Sequence, residues 1–303
     1  MAPSKANDGR PQTRAKGPLW ADRSGSAAVG GLPSVVKWQT VIFIDLDGTL
    51  IRGPFEPAVF PVVFGELARK TGRDIREIRR RAIHDYLDRQ KNSNLPVVQA
   101  VDWDDIFKTM AAGWGVDLEA NAVEIANAHA GPPDAVILDH ADQILKQLAA
   151  PHRALVLATK GLSKYQRPVL DALGLTPLFA DILTPDVNHA LKNDVAFFGQ
   201  WPQAAKVCIS VGDHYDDDVV APKRLGFAAI WKIGTPDEET VEHLVQAKSN
   251  AGLRQLDPFE RPARWEYAPD QTVRPDAIIF SLRELPEIVK RLEDQSSSRS
   301  GSR

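Results

Sequence analysis

Asp45 and Asp47 stand two positions apart in the run Asp45-Leu46-Asp47-Gly48-Thr49, directly after the apolar stretch Val41-Ile42-Phe43-Ile44. On an extended strand that spacing sends both carboxylates to one face. Two like charges so placed require a cation. A tight turn accounts for Asp47-Gly48 but leaves Asp45 unexplained. A second acidic run, Gly212-Asp213-His214-Tyr215-Asp216-Asp217-Asp218, follows the apolar Val207-Cys208-Ile209-Ser210-Val211. Its four carboxylates repel one another unless a divalent ion or water relieves them. An acidic helix N-terminus explains Asp216 and Asp217, but not two strand ends with the same chemistry. With no cysteine or histidine set beside these groups, all-oxygen ligation favours Mg²⁺ over Zn²⁺.

A third strand end, Ala158-Thr159-Lys160-Gly161, offers a hydroxyl and backbone N–H groups that suit phosphoryl oxygens. Lys192, beyond the short apolar pair Ile182-Leu183, adds a cation for negative charge. The other reactive residue types have plainer readings. His214 adjoins the acidic loop but reads as a surface histidine, and Cys208 as an inert core thiol. Trp103 and Trp114 read as core of a small helical unit, and Arg79, Arg80 and Arg81 as a solvated helix face.

These strand ends need a sheet to bring them together. Continuous apolar runs at 41–44, 154–158, 207–211, 228–231 and 277–280, with Ile182-Leu183, predict strands buried on both faces. Helically spaced segments join them, such as Val169, Leu170 and Leu173 before Gly174, a residue suited to a helix C-cap. Strand alternating with helix predicts an α/β fold with a parallel sheet and right-handed crossovers, its chemistry at the carboxyl ends of the strands. About a hundred residues separate the first two runs, too many for one crossover. Their apolar spacing predicts an inserted helical subdomain over 53–150 between core segments 38–52 and 151–292. Residues 1–37 and 293–303, rich in Ser, Gly, Pro and charge, read as loose tails. The Pro-bearing stretch 237–275 reads as part helix and part loop.

Composition narrows the partners. Among 303 residues, 37 Lys and Arg stand against 40 Asp and Glu, a formal charge of −3 that supplies no field for nucleic-acid backbones. A single cysteine excludes an intrachain disulfide and suits a reducing cytoplasm. No run reaches the roughly 18 apolar residues of a membrane span. A small-molecule substrate is the expectation.

Taken in order, the Asp45-to-Thr49 element, Thr159, Lys192 and the Asp213-to-Asp218 element resemble the four short motifs of the haloacid dehalogenase superfamily. That resemblance implies a Rossmann-like parallel sheet with a helical cap inserted after the first motif. It implies that Asp45 attacks phosphorus and becomes an aspartyl phosphate, while Asp47 protonates the leaving oxygen and later accepts a proton from water. Thr159 and nearby N–H groups would grip phosphoryl oxygens, with Gly48, Thr49, Lys160 and Gly161 on the substrate side. Lys192 would balance charge, with Lys160 as the alternative, since Lys160 stands where relatives often carry Asn. Asp45, the Asp47 carbonyl and Asp213 would hold Mg²⁺, supported by Asp217 or Asp218. The implied activity is hydrolysis of a small phosphorylated metabolite. A phosphoryl-transferring mutase and a non-catalytic phospho-ligand or protein binder are the alternatives. Dehalogenation ranks lower, because a departing halide gives Asp47 no oxygen to protonate.

Overall fold

The computed structural model describes residues 37–233 and 273–300. The expected N-terminal tail up to residue 36, and most of the 237–275 stretch, lie outside them.

Six strands form one parallel sheet: β1 (Trp38–Ile44), β4 (Arg153–Ala158), β5 (Asp181–Leu183), β6 (Ala205–Gly212), β7 (Ala228–Lys232) and β8 (Ala277–Ile279), in the order β5-β4-β1-β6-β7-β8. Within β1, Ile42 and Ile44 enter one apolar cluster, with Leu155, Leu157, Ile209 and Val211. Val41 and Phe43 enter the cluster on the other face, with Val156, Phe197, Phe198 and Phe227. Alternate side chains thus fill two layers, which is why the strand reads as an unbroken apolar run. Ile42 is in register with Leu155 on one side and Ile209 on the other, so Asp45 emerges at the middle of the sheet. The chain runs outward from β1 through β4 to β5, then returns to β6 on the opposite side of β1. The carboxyl ends of β1 and β6 therefore flank the switch in direction where such sheets open a crevice.

The insertion leaves through β2 (Ile51–Arg52) and returns through β3 (Val136–Ile137), an antiparallel pair. Between them lie α1 (Phe60–Thr71), α2 (Ile75–Lys91), α3 (Val97–Val101), α4 (Trp103–Gly113) and α5 (Ala122–Ala128). Asp74, Asp102 and Asn121 cap α2, α4 and α5 by accepting N–H bonds from their first turns. Val59, Phe60, Val63, Phe64, Leu67, Ile78 and Met110 form an apolar cluster of the cap that Leu162 and Tyr165, from the segment after β4, also enter. Val62 and Ile75, at the apolar spacing of α1 and α2, face solvent.

Two boundaries differ from the sequence reading. The cap ends before 150, because α6 (Ala141–Leu148) buries Ala141, Ile144, Leu145 and Leu148 in the cluster against the sheet. Residue spacing reports that a helix has a buried face, not what covers it. The second concerns 293–303: the last helix, α10, runs from Leu285 to Ser300. Glu293 in α10 is buried, accepting from Arg153 Nε at 2.7 Å and Nη2 at 2.6 Å, and from Thr40 Oγ1 at 2.7 Å. Those partners lie 140 and more residues away in the chain, so a polar composition concealed an anchored helix turn.

Candidate active site

The carboxyl ends of β1, β4 and β6 converge with the loop after β5. Asp45 directly follows β1, and its N–H donates to the Val211 carbonyl of β6. One Asp45 oxygen, Oδ1, lies 2.9 Å from Lys192 Nζ, and the other accepts from Thr49 Oγ1 at 3.2 Å. Thr49 is fully buried, so it steadies Asp45, where the sequence reading had set it on the substrate side. Gly48, at φ +82°, turns the chain and donates its N–H to the Ile51 carbonyl.

Lys192, on a loop between α8 (Pro185–Asn188) and β6, is 2% exposed. Its ammonium lies 2.5 Å from Asp218 Oδ1 as well as 2.9 Å from Asp45. Burial opposes the charge, but Asp218 and Asp45 outweigh it and hold the amine above its ordinary pKa. Of the two lysines weighed from sequence, Lys192 is the one beside Asp45. Lys160 instead lies 2.6 Å from Asp217 Oδ2 and 3.4 Å from Gln90 Oε1 of α2 in the cap. Asp217 also lies 2.9 Å from His214 Nδ1. Burial raises the Asp217 pKa, yet Lys160 and His214 together hold it well below the carboxylate range.

One carboxylate oxygen each from Asp45, Asp213 and Asp218 lie within 4.8 Å of one another. Three hard oxygen donors around one point suit Mg²⁺ and offer nothing that selects a softer ion. Burial, with the charges of Asp45 and Asp217, pushes the Asp218 carboxyl up to about 6 against the lowering pull of Lys192. Asp218 folds back over the end of β6 and accepts the His214 N–H at 2.9 Å. Only glycine fits at 212, since a Cβ there would lie 2.1 Å from Asp218 Cγ. The turn of π-helix over Tyr215–Val220 sends Asp217 to Lys160 and Asp218 to Lys192.

Thr159, at the end of β4, is buried and accepts the Gly161 N–H on its hydroxyl oxygen at 3.1 Å. That bond leaves the hydroxyl proton for another acceptor, and it engages an N–H that the sequence reading had offered to phosphate. Gly161 has another use. A Cβ at 161 would lie 1.9 Å from Gln166 Nε2, and that amide donates to Asp47 Oδ2 at 2.8 Å. Gln166 comes from the first turns of α7 (Ser163–Ala172), and no reading of residue types singled it out. Glutamine carries no chemical signature of its own.

Two further features escaped the sequence reading. Tyr86, one helical turn before Gln90 on α2, stacks flat on Trp103 at 4.6 Å, and Lys160 sits 5.8 Å from its ring. Trp103 therefore packs in the cap as expected, but it also braces an aromatic near the site. Tyr165 of α7 is buried in the cap's core, where its hydroxyl donates to Asp102 Oδ1 at 2.7 Å and accepts the Asp104 N–H at 3.0 Å. In the arginine cluster Arg79 pairs with Glu56 and Arg81 with Asp85, while Arg80 donates to the Arg76 carbonyl. Among the described residues no helix is long and apolar enough to cross a membrane.

Solved structures resemble this fold. A HAD phosphatase from Thermococcus onnurineus is 23% identical, with a TM-score of 0.57 over 83% of this chain and 97% of its own. The HAD-hydrolase YfnB from Bacillus subtilis, a structure bound to magnesium, is 16% identical, with a TM-score of 0.53 over 84% and 99%. The L-2-haloacid dehalogenase of Xanthobacter autotrophicus is 17% identical, also at 0.53, over 84% and 98%. Likeness at these identities shows the fold and leaves the reaction open. No curated protein sequence matches the chain significantly. A family model does match, over residues 39–226, from β1 across the cap to the turn before β7; by that match the chain belongs to the haloacid dehalogenase-like hydrolases.

Proposed function

We propose that this protein is a Mg²⁺-dependent phosphatase that hydrolyses a small phosphomonoester through an aspartyl phosphate on Asp45. The observation that carries this reading is the second acid, Asp47, held by Gln166 beside the carboxylate trio of Asp45, Asp213 and Asp218. An alkoxide leaving group needs a proton and a halide does not, so an oriented acid two residues after the nucleophile favours an oxygen leaving group.

Asp45, Asp213 and Asp218 would hold the ion, which draws charge from the phosphoryl oxygens so that an anionic nucleophile can approach. Lys192 neutralises part of the charge on Asp45 and keeps Oδ1 in place. Thr49 fixes the other oxygen. The Thr159 hydroxyl, oriented by the Gly161 N–H, donates to a phosphoryl oxygen. Asp47 gives its proton to the leaving oxygen, then takes one from the water that cleaves the aspartyl phosphate. Gln90 and Tyr86 of the inserted helices meet Lys160 beside the site, so the insertion would limit which leaving groups enter. A small phosphorylated metabolite in the cytoplasm is the substrate class this reading requires.

The test is release of inorganic phosphate from an aryl phosphate with Mg²⁺, with EDTA, and by the Asp45→Asn variant. Activity requiring both the metal and Asp45 is expected. Equal turnover by Asp45→Asn would sink the reading. Halide release from a 2-haloacid without phosphate release would replace it with dehalogenation, and transfer of the phosphoryl group to a sugar phosphate would replace it with a mutase.

A further inference from the structure

Asp47 faces solvent, yet its carboxylate is tied to a group that does not. Gln166 is 6% exposed, and its Nε2 donates to Asp47 Oδ2 at 2.8 Å. The amide presents its NH₂ side there, and Oδ2 can accept from it both in the carboxylate and in the acid protonated on Oδ1. Two glycines make the arrangement sterically possible. A Cβ at Gly161 would lie 1.9 Å from Gln166 Nε2 and 2.6 Å from its Cδ, and a Cβ at Gly53 would lie 2.4 Å from Asp47 Oδ1. The glutamine, the aspartate and both glycines thus form one close-fitting unit, drawn from α7, from the turn after β1, from the end of β2 and from the turn after β4.

We propose that Gln166 is the positioning residue for the proposed acid–base group Asp47, and that it selects Oδ1 as the oxygen that carries the transferable proton. The inference rests on the phosphatase reading above. Because Oδ2 already accepts the amide N–H, the acidic proton resides on Oδ1. As an Asp45 oxygen bonds to phosphorus, the ester P–O bond breaks and its electron pair stays on the leaving oxygen. That oxygen takes the proton from Asp47 Oδ1, giving a neutral alcohol, and the resulting Asp47 carboxylate keeps the Gln166 N–H bond.

The consequence is a dependence on leaving group, which a merely structural role would not produce. Alkoxides need the proton and stabilised aryloxides do so far less. The ratio kcat/KM reports only steps up to formation of the aspartyl phosphate, so dephosphorylation does not mask the effect. The experiment compares kcat/KM for a simple alkyl phosphate and for p-nitrophenyl phosphate, with Mg²⁺, in the wild type, Gln166→Met and Gln166→Glu. Methionine keeps the length and removes the donor; glutamate sets carboxylate against carboxylate. Expected is a fall of roughly 10²-fold on the alkyl phosphate and within about 3-fold on the aryl phosphate for Gln166→Met, and a larger alkyl-specific fall for Gln166→Glu. Gln166→Asn, which keeps the amide but withdraws it from Asp47, is expected to show the same selective loss and serves if Gln166→Met and Gln166→Glu do not fold. Equal falls on both substrates, or none, overturn the inference while the phosphatase reading stands. A wild type inactive on both overturns the phosphatase reading and the inference with it.

Discussion

The Lys192 ammonium lies 2.9 Å from Asp45 Oδ1, a residue 147 positions earlier in the chain. The same ammonium touches Asp218 at 2.5 Å, so one buried cation binds together the ends of β1 and β6 and the loop after β5. At 2% exposure it has little room to be replaced by anything bulkier.

Lys192→Met therefore leaves two carboxylates facing each other without their cation. Removing one partner of a buried ion pair costs about 3–5 kcal/mol, and the expected outcome is a lowered urea midpoint together with a fall of about 10²-fold or more in turnover of the proposed reaction. Lys192→Arg should rescue neither, since a planar guanidinium does not fit a site built for a compact ammonium. Wild-type stability in Lys192→Met, measured by urea unfolding, would show that the pair contributes nothing to the fold.

The carboxylate trio predicts a thermal response to metal. Mg²⁺ at about one hundred times its Kd stabilises the folded state by roughly 2.7 kcal/mol, about 5–10 °C in Tm for a domain of this size. Scanning fluorimetry should show that rise in the wild type and its loss in Asp213→Asn and Asp218→Asn. Asp217→Asn should retain it, because Asp217 is turned to Lys160. Equal shifts in all three variants would place the ion elsewhere.

Tyr165 ties α7 to the cap through Asp102 and the Asp104 N–H. Burial, and then the bond to Asp102, hold the phenol above its ordinary pKa, so it remains a neutral donor throughout the usual range. Tyr165→Phe keeps the ring against Phe55 and removes both hydrogen bonds. A loss of about 1–2 kcal/mol is expected. A double-mutant cycle with Asp102→Asn should give a coupling energy well above the experimental error; simple additivity would mean that the two groups do not interact.

Glu293 anchors α10 to Arg153 and Thr40. Burial raises its pKa, but the bonds from Arg153 and Thr40 outweigh that and bring it below the ordinary glutamate value. A folded pKa depressed below the unfolded one contributes stability that is fully present above about pH 4.3. That stability is lost as pH falls through the folded value. Glu293→Gln should lower stability at pH 7 by about 1.5–3 kcal/mol. Below about pH 4 the difference from the wild type should narrow, as followed by urea unfolding across pH. A gap that stays constant from pH 7 to pH 3 would rule out the carboxylate as its source.

Much of the candidate site was legible without coordinates. Asp45 and Thr159 each follow an unbroken apolar run, Asp213 follows one interrupted by Ser210, and Asp47 stands two positions beyond Asp45. A strand buried on both faces has to be apolar throughout, so the first polar residue after it marks the mouth of the sheet. The period of the apolar residues likewise announced a helical insertion. What composition misjudged was the end of the chain, where Glu293 is anchored by Arg153 and Thr40 far away in sequence.

Tertiary structure alone decided the pairings. Lys160 and Lys192 are both cations near acidic loops, and nothing in residue type distinguishes them; the turn over Tyr215–Val220 does, by sending Asp217 to one and Asp218 to the other. Thr49 and Gly161 lie against Asp45 and Thr159, but whether a hydroxyl faces a substrate or a neighbouring carboxylate depends on local directions that sequence does not carry. Gln166 had no signal at all, because an amide acquires a role only from what lies within hydrogen-bond reach. The chain by itself determined which chemical groups arrive at the mouth of the sheet, since burial dictates pattern. Only the fold decided which group faces which, since hydrogen bonds and ion pairs act over about 3 Å and the partners here come from as far as 147 residues apart.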